Sequence, residues 1–264
     1  MTVFQAIVAL TKASWQVLRR HRRLMYFPML ELAAMIVVFT VVAPMLVRVH
    51  DDELPWTHLL VIGLVLQLVR VFFDVGLTSE ALKALRGETP SVRAGLGTAV
   101  TRLSAIATLA AITAPVSFVL GLLGRSTQPA LRLARALFGT AWSLATYLAI
   151  PVMVQERRGG IPSLPRSGAL FRRTWGETAL SEVGVRVLAV HLVIVVVVVA
   201  FVLLKILGSS VFAVLVMLAA ITCAVGVLGA LEAIYRAALY VFAAEGVVPE
   251  PFGGPELEDI WQVK

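Results

Sequence analysis

The sequence predicts an all-α protein, a polytopic bundle of transmembrane helices, and three observations predict it. Six apolar runs begin near Leu24, Leu59, Leu103, Leu133, Val187 and Val211, each long enough for the roughly 20 residues that cross a bilayer. Hydrophobic residues make up 59% of the 264-residue chain and charged residues 15%, with a mean hydropathy of +0.90. Soluble domains run at about 45–50% and about 25%. Lys and Arg gather on alternate connections between the runs, the pattern of a chain whose loops on one side face the cytoplasm. Too little polar sequence remains for a soluble domain, so residues 1–264 read as one membrane domain.

The elements follow in order. Residues 3–20 read as an amphipathic helix, with Phe4, Ile7, Val8, Trp15 and Leu18 on one stripe and Lys12, Gln16 and Arg19 away from it. Arg19, Arg20, Arg22 and Arg23 then hold the membrane edge before Tyr26, Phe27 and Pro28 enter it. A cleavable signal peptide would begin with its charges and reach its apolar core sooner. The helix is therefore expected to lie along the inner interface, with Phe4 among acyl chains and Lys12 in water. Two spans form a hairpin that ends at Gly87. A second interfacial stripe, Val92, Leu96, Ala99, Val100 and Leu103, precedes the third and fourth spans. A third, Leu164, Phe171, Trp175 and Ala179, covers about 163–180, with Phe171 expected in the acyl region. The fifth span is the longest uncharged one, Leu188 to Leu204, and the sixth runs to Gly246, leaving a tail over 247–264.

Charge sets the orientation. Of 23 basic residues, sixteen fall on connections that share a side with both termini, five fall on the other side, and Arg70 and Arg236 lie within spans. The positive-inside rule then puts both termini in the cytoplasm of a multi-pass protein of the inner (cytoplasmic) membrane. The net charge of +7 is accordingly topological, with attraction to anionic headgroups, and no nucleic-acid partner is expected. The single cysteine, Cys223, excludes an intramolecular disulfide and reads as a small packing residue.

Text recurs at the ends of spans. Arg86-Gly87-Glu88-Thr89-Pro90-Ser91 matches Arg158-Gly159-Gly160-Ile161-Pro162-Ser163, and Glu245-Gly246-Val247-Val248-Pro249-Glu250 is a fainter copy. Glycine ends a helix in a left-handed conformation, and proline shortly after prevents continuation. Pro-Ser then suits the start of the next helix. Ser14 through Arg20 also resembles Ser167 through Arg173. Three units of one interfacial helix and one hairpin emerge, about 1–87, 88–159 and 160–246. The competing reading is generic helix-stop-helix punctuation. Units with an even number of spans share one orientation, so the inverted repeats of many transporters are not indicated.

Ser14-Trp15 with its following arginines, the segment from Arg166-Ser167 to Trp175-Gly176-Glu177, and the exit Tyr240-Val241-Phe242-Ala243-Ala244-Glu245-Gly246 resemble a group of uncharacterised prokaryotic six-span membrane proteins, classed as a domain of unknown function. The resemblance covers nearly the whole chain. It implies a membrane fold with interfacial helices and supplies no activity.

Ionisable residues at bilayer depth cost about 2.5–3.5 kcal/mol each at a helix centre on insertion scales and are functional candidates. Arg70 and Asp74 lie in the second span, Glu232 and Arg236 in the sixth, each pair spaced i,i+4 on one helical face. Two readings stand. Each pair neutralises itself and knits helices together, or the four charges line a polar cavity for a headgroup, ion or proton. Glu31 in the first span joins them or serves only the arginine cluster. His191 and Gln155 read as packing residues. Small residues at Ala220, Ala224, Gly226, Ala230, Ala233 and Ala237 suit close helix approach and a central sixth span. Pro115 and Pro151 are expected to kink the third and fourth spans.

No H-E-x-x-H, G-x-S-x-G or phosphate-binding G-x-x-x-x-G-K-[ST] pattern occurs, and the loop His50-Asp51-Asp52-Glu53 reads as a hydrated turn. The expectation is a protein with no catalytic residues, no cofactor and no metal. Two roles fit. One is an accessory or scaffold subunit of a membrane complex; the alternative is a transporter or lipid-handling protein with its site at the buried charges. Its expected partners are membrane lipids, with other membrane proteins or copies of itself.

Overall fold

The structure is a computed structural model and describes residues 3–47, 56–175 and 211–254. Every regular element among them is helical. Helix α1 (Val3–Arg20) leads through a tight turn at Arg22–Met25 into α2 (Tyr26–Val47), and α3 is Trp56–Leu85. Short α4 (Val92–Thr101) precedes α5 (Leu103–Arg125). The fourth run is divided into α6 (Pro129–Tyr147) and α7 (Ala149–Gln155). Then come α8 (Gly160–Trp175) and α9 (Val211–Glu245).

Five stretches are long and apolar enough to cross a membrane: Arg22–Val42, Leu60–Leu85, Leu103–Arg125, Pro129–Gln155 and Ala224–Glu245. The chain is thus built as a multi-pass membrane protein. The fifth expected run from Val187, together with His191, the His50–Glu53 loop and Ala179, lies outside the described residues.

Helix α9 is the hub, packed against α1, α2, α3, α7 and α8. Ala230, Ala233, Ala237 and Ala238 are completely buried along it, because side chains this small let neighbouring backbones close in. The three short segments are seated in a regular way. α4 lies on α3, α8 lies on α5, α6 and α7, and α1 lies on α9. α4 and α1 thus each rest on one long helix, and α8 rests on both arms of the second hairpin.

That seating revises the expectations for Leu18 and Phe171. On α1 the residues turned into the protein are Leu10, Ala13, Ser14, Val17 and Leu18, whereas Val8 and Trp15 are exposed. α1 carries a second stripe of small and aliphatic residues, and this one fits α9. Phe171, expected among acyl chains, is buried in protein and meets Tyr147 edge-on at 6.3 Å. α8 lies against the second hairpin, which covers Phe171 and half-buries Leu164.

The span exits agree at two points and differ at the third. Gly87 and Gly246 adopt left-handed φ values of 81° and 70°, as the repeated text predicts. At the middle exit the left-handed residue is Arg157, at φ 53°, and not Gly159. α7 stops at Gln155, too early for Gly159 to cap it. The glycine pair serves packing instead. A Cβ on Gly160 would overlap the Ala105 carbonyl oxygen and stand 2.5 Å from the Leu109 nitrogen of α5. α8 also starts at Gly160, three residues before the expected Ser163. Ser163 lies within its first turn and donates to the Gly160 carbonyl at 2.6 Å.

Pro151 breaks the fourth run. It lacks an N–H and its ring crowds the carbonyl four residues back, that of Tyr147. The helix parts at Leu148, whose N–H donates to the buried Ser167 hydroxyl at 2.9 Å. Pro115 stays inside a continuous α5.

Candidate intramembrane polar site

Arg70 stands midway along α3, fifteen residues before its end at Leu85, about 22 Å at 1.5 Å per residue. Asp74 is one turn nearer that end on the same face. α9 brings Glu232 and Arg236, and α2 brings Glu31. All five residues selected from the sequence line one cavity of about 520 Å³ between α2, α3 and α9. Pro28, Met35 and Gly229 are among the other residues of its walls.

The pairing inside differs from two self-neutralising couples. Arg236 Nη2 reaches across from α9 and donates to both oxygens of Asp74, at 2.8 Å each. Its Nε is buried without a hydrogen-bond acceptor and lies 3.9 Å from Glu232 Oε1. Asp74 also accepts from the Thr78 hydroxyl at 3.4 Å. The i,i+4 couple of Arg70 with Asp74 does not form. A carboxylate shared with a guanidinium from a facing helix also joins the two helices, which an intrahelical pair cannot do. Arg70 is exposed and Glu31 half-buried. Among the described residues neither has an ion pair or a side-chain hydrogen bond. The site thus divides into a locked part, Asp74 with Arg236 and Glu232 beside it, and two unengaged opposite charges.

Two polar centres escaped the sequence reading. Glu80 is completely buried. It pairs with Lys83 Nζ at 2.7 Å and accepts the Ser91 N–H at 2.7 Å. A carboxylate there satisfies an orphan donor at the start of α4 and favours the helix dipole. The Glu80, Lys83 spacing was its only signal. Arg86 pairs with Glu245 at 2.6 Å, tying the ends of α3 and α9. The Gln155 amide, turned with its oxygen toward Arg86, accepts from both terminal nitrogens at 2.9 and 3.2 Å. Gln155 therefore joins a tie among three span exits and is more than a packing residue. α3, α7 and α9 all end at one face.

At that face a second cavity, about 550 Å³, is lined by Lys12, Gln16, Arg20 and His21 of the α1 segment, with Gly87 and Glu250 opposite. Burial and the neighbouring Arg20 charge lower the His21 pKa.

A family described as a family of unknown function (DUF6159) matches residues 55–249. This is well over half of the chain, and it agrees with the resemblance carried by Arg166 to Glu177 and by Tyr240 to Gly246, which fall within the matched residues. No curated protein matches, and no solved structure matches.

Proposed function

Since the chain belongs to this family of unknown function, we propose its role from its own geometry: it is a non-enzymatic membrane protein that binds a polar ligand within the bilayer, as a transporter or lipid-handling protein. One observation carries this reading. Five ionisable residues on three helices surround a single cavity of about 520 Å³ and do not pack closed. Purely structural charges would be expected to satisfy one another, because an unmatched charge at this depth is costly. Here Arg70 and Glu31 are left to something else.

In this reading the protein sits in the cytoplasmic membrane with both termini inside. The side where α3, α7 and α9 end carries the arginine-rich connections. A threefold internal repeat is part of it, supported by the seating of α4 on α3, of α8 on α5, α6 and α7, and of α1 on α9. The same seating favours a second role, an accessory or scaffold subunit, since α1 turns Val8 and Trp15 outward toward lipid or a partner protein.

The test uses Gly229→Leu. A Cβ on Gly229 meets nothing within 4 Å, so the larger side chain enters the cavity and leaves all five charges in place. Parent and variant are purified in lipid nanodiscs, and bound small molecules and lipids are identified by mass spectrometry. A species retained by the parent and lost from the folded variant supports ligand binding. Equal retention, or no species retained by either, counts against it.

A further inference from the structure

We infer that the ligand of the α2–α3–α9 cavity is a zwitterion, with a phosphate or carboxylate held at Arg70 and an ammonium group held at Glu31; this rests on the cavity being a binding site, as proposed above.

The two side chains stand at nearly the same depth. The Phe27 ring lies beside Gly76, so close that a Cβ there would be 2.8 Å from it. α2 and α3 run as an antiparallel hairpin. Glu31, four residues beyond Phe27, rises about 6 Å along α2 and comes level with position 72 of α3. Arg70 is two residues away from that level, about 3 Å. Opposite charges therefore face one cavity at one height. Asp74, the nearest competitor for Arg70, is occupied by Arg236 on both oxygens.

Charge arithmetic separates the ligand classes. The lining holds three carboxylates (Glu31, Asp74, Glu232) and two guanidiniums (Arg70, Arg236), a formal balance of −1. A purely anionic ligand would deepen that imbalance and leave Glu31 without a partner. A purely cationic one would leave Arg70 without a partner in a medium where this is costly. A zwitterion leaves the balance unchanged and engages both. A guanidinium takes phosphate or carboxylate with two parallel hydrogen bonds, and an ammonium has three donors for a carboxylate. The same chemistry is offered by the headgroup of phosphatidylethanolamine and by soluble molecules such as glycerophosphoethanolamine or an amino acid.

The experiment compares probes on the intact protein in nanodiscs. Phosphatidylethanolamine is set against phosphatidylglycerol by native mass spectrometry, and free glycerophosphoethanolamine, glycine and ethanolamine are titrated by calorimetry. The expected result is at least tenfold preference for one zwitterion over its singly charged counterpart. Preference for the lipid assigns the source to the bilayer, whereas preference for glycerophosphoethanolamine or glycine over ethanolamine assigns it to solution. Glu31→Gln should reduce the discrimination to about twofold or less, and Arg70→Gln should weaken every phosphate or carboxylate ligand at least tenfold. Among the described residues neither has an ion-pair partner, so both variants should fold, which size-exclusion profiles check. Phosphatidylglycerol or ethanolamine binding as tightly as the zwitterions would overturn the inference, as would discrimination unchanged in Glu31→Gln. If Gly229→Leu still displaces a ligand and that ligand carries one sign of charge, the cavity reading stands and this inference alone falls.

Discussion

Arg236 of α9 grips both carboxylate oxygens of Asp74 on α3, 162 residues earlier in the chain, at 2.8 Å each. This link fixes the orientation of the returning arm of the first hairpin against the hub helix. It also determines which of the cavity charges are free. With Arg236 committed to Asp74 and close to Glu232, Arg70 and Glu31 remain available.

Because the partner of Asp74 is Arg236, loss of Asp74 should be relieved by removing Arg236 and not by removing Arg70. Breaking a buried pair costs about 3–5 kcal/mol, since a charge is left uncompensated. Asp74→Ala should lower the melting temperature in detergent by many degrees. Asp74→Ala with Arg236→Ala should recover part of the loss. Asp74→Ala with Arg70→Ala should not, and equal recovery by both doubles would show that the pairing is wrong.

The two adjacent glycines of the middle exit should respond differently. A Cβ on Gly159 comes no closer than 3.4 Å to Pro162, whereas one on Gly160 runs into the α5 backbone. Backbone cannot move aside as a side chain can, and overpacking of this kind costs about 1–3 kcal/mol. Gly160→Ala should melt clearly below Gly159→Ala. The reverse order would mean that Gly159 has the conformational role and Gly160 no packing role.

His21 gives a pH dependence of known sign. Its folded pKa is lowered from the ordinary 6.5 by burial and by Arg20. Above the ordinary value the imidazole is neutral in both states and contributes nothing. As pH falls through that value the unfolded chain takes the proton first, so stability declines until the lowered folded pKa is passed. Between pH 8 and pH 5 the parent should lose more thermal stability than His21→Gln. Parallel pH curves would contradict this.

Orientation can be read with reporter fusions. α8 begins at the face where α7 ends, and α9 runs back to that face from the other side. Six crossings with both termini inside are expected. Fusions after Thr89 and Ser163 should report cytoplasm and a fusion after Gln128 the exterior. A cytoplasmic signal from Gln128 would break the assignment.

Much of the fold was legible because the bilayer enforces it. Runs of about 20 apolar residues leave few alternatives to membrane-crossing helices, and the small residues of α9 marked the hub. The five cavity residues were legible for the same energetic reason, as ionisable groups where lipid disfavours them. What periodicity could not give was partnership. The i,i+4 spacing showed that Arg70 and Asp74 share a face, but an arginine on another helix took the carboxylate. Phe171 and Trp15 were both apolar residues on amphipathic segments. Only the seating of those segments showed that Phe171 meets Tyr147 and that Trp15 turns outward. Glu80 was hidden for a similar reason, since its acceptor role depends on where the backbone of Ser91 returns.

The most direct test of the central claim is whether the cavity holds water. In a Cys223→Ala background, Gly229→Cys places a thiol in the cavity, and Val37→Cys places one on the exposed outer face of α2. A thiol must ionise to react, so a membrane-impermeant methanethiosulfonate reagent modifies only hydrated positions. The expected result is rapid modification at position 229 and none at 37, with position 229 protected by the bound ligand. Both thiols remaining unreactive would show a dry, closed interior and leave the five charges a structural role alone.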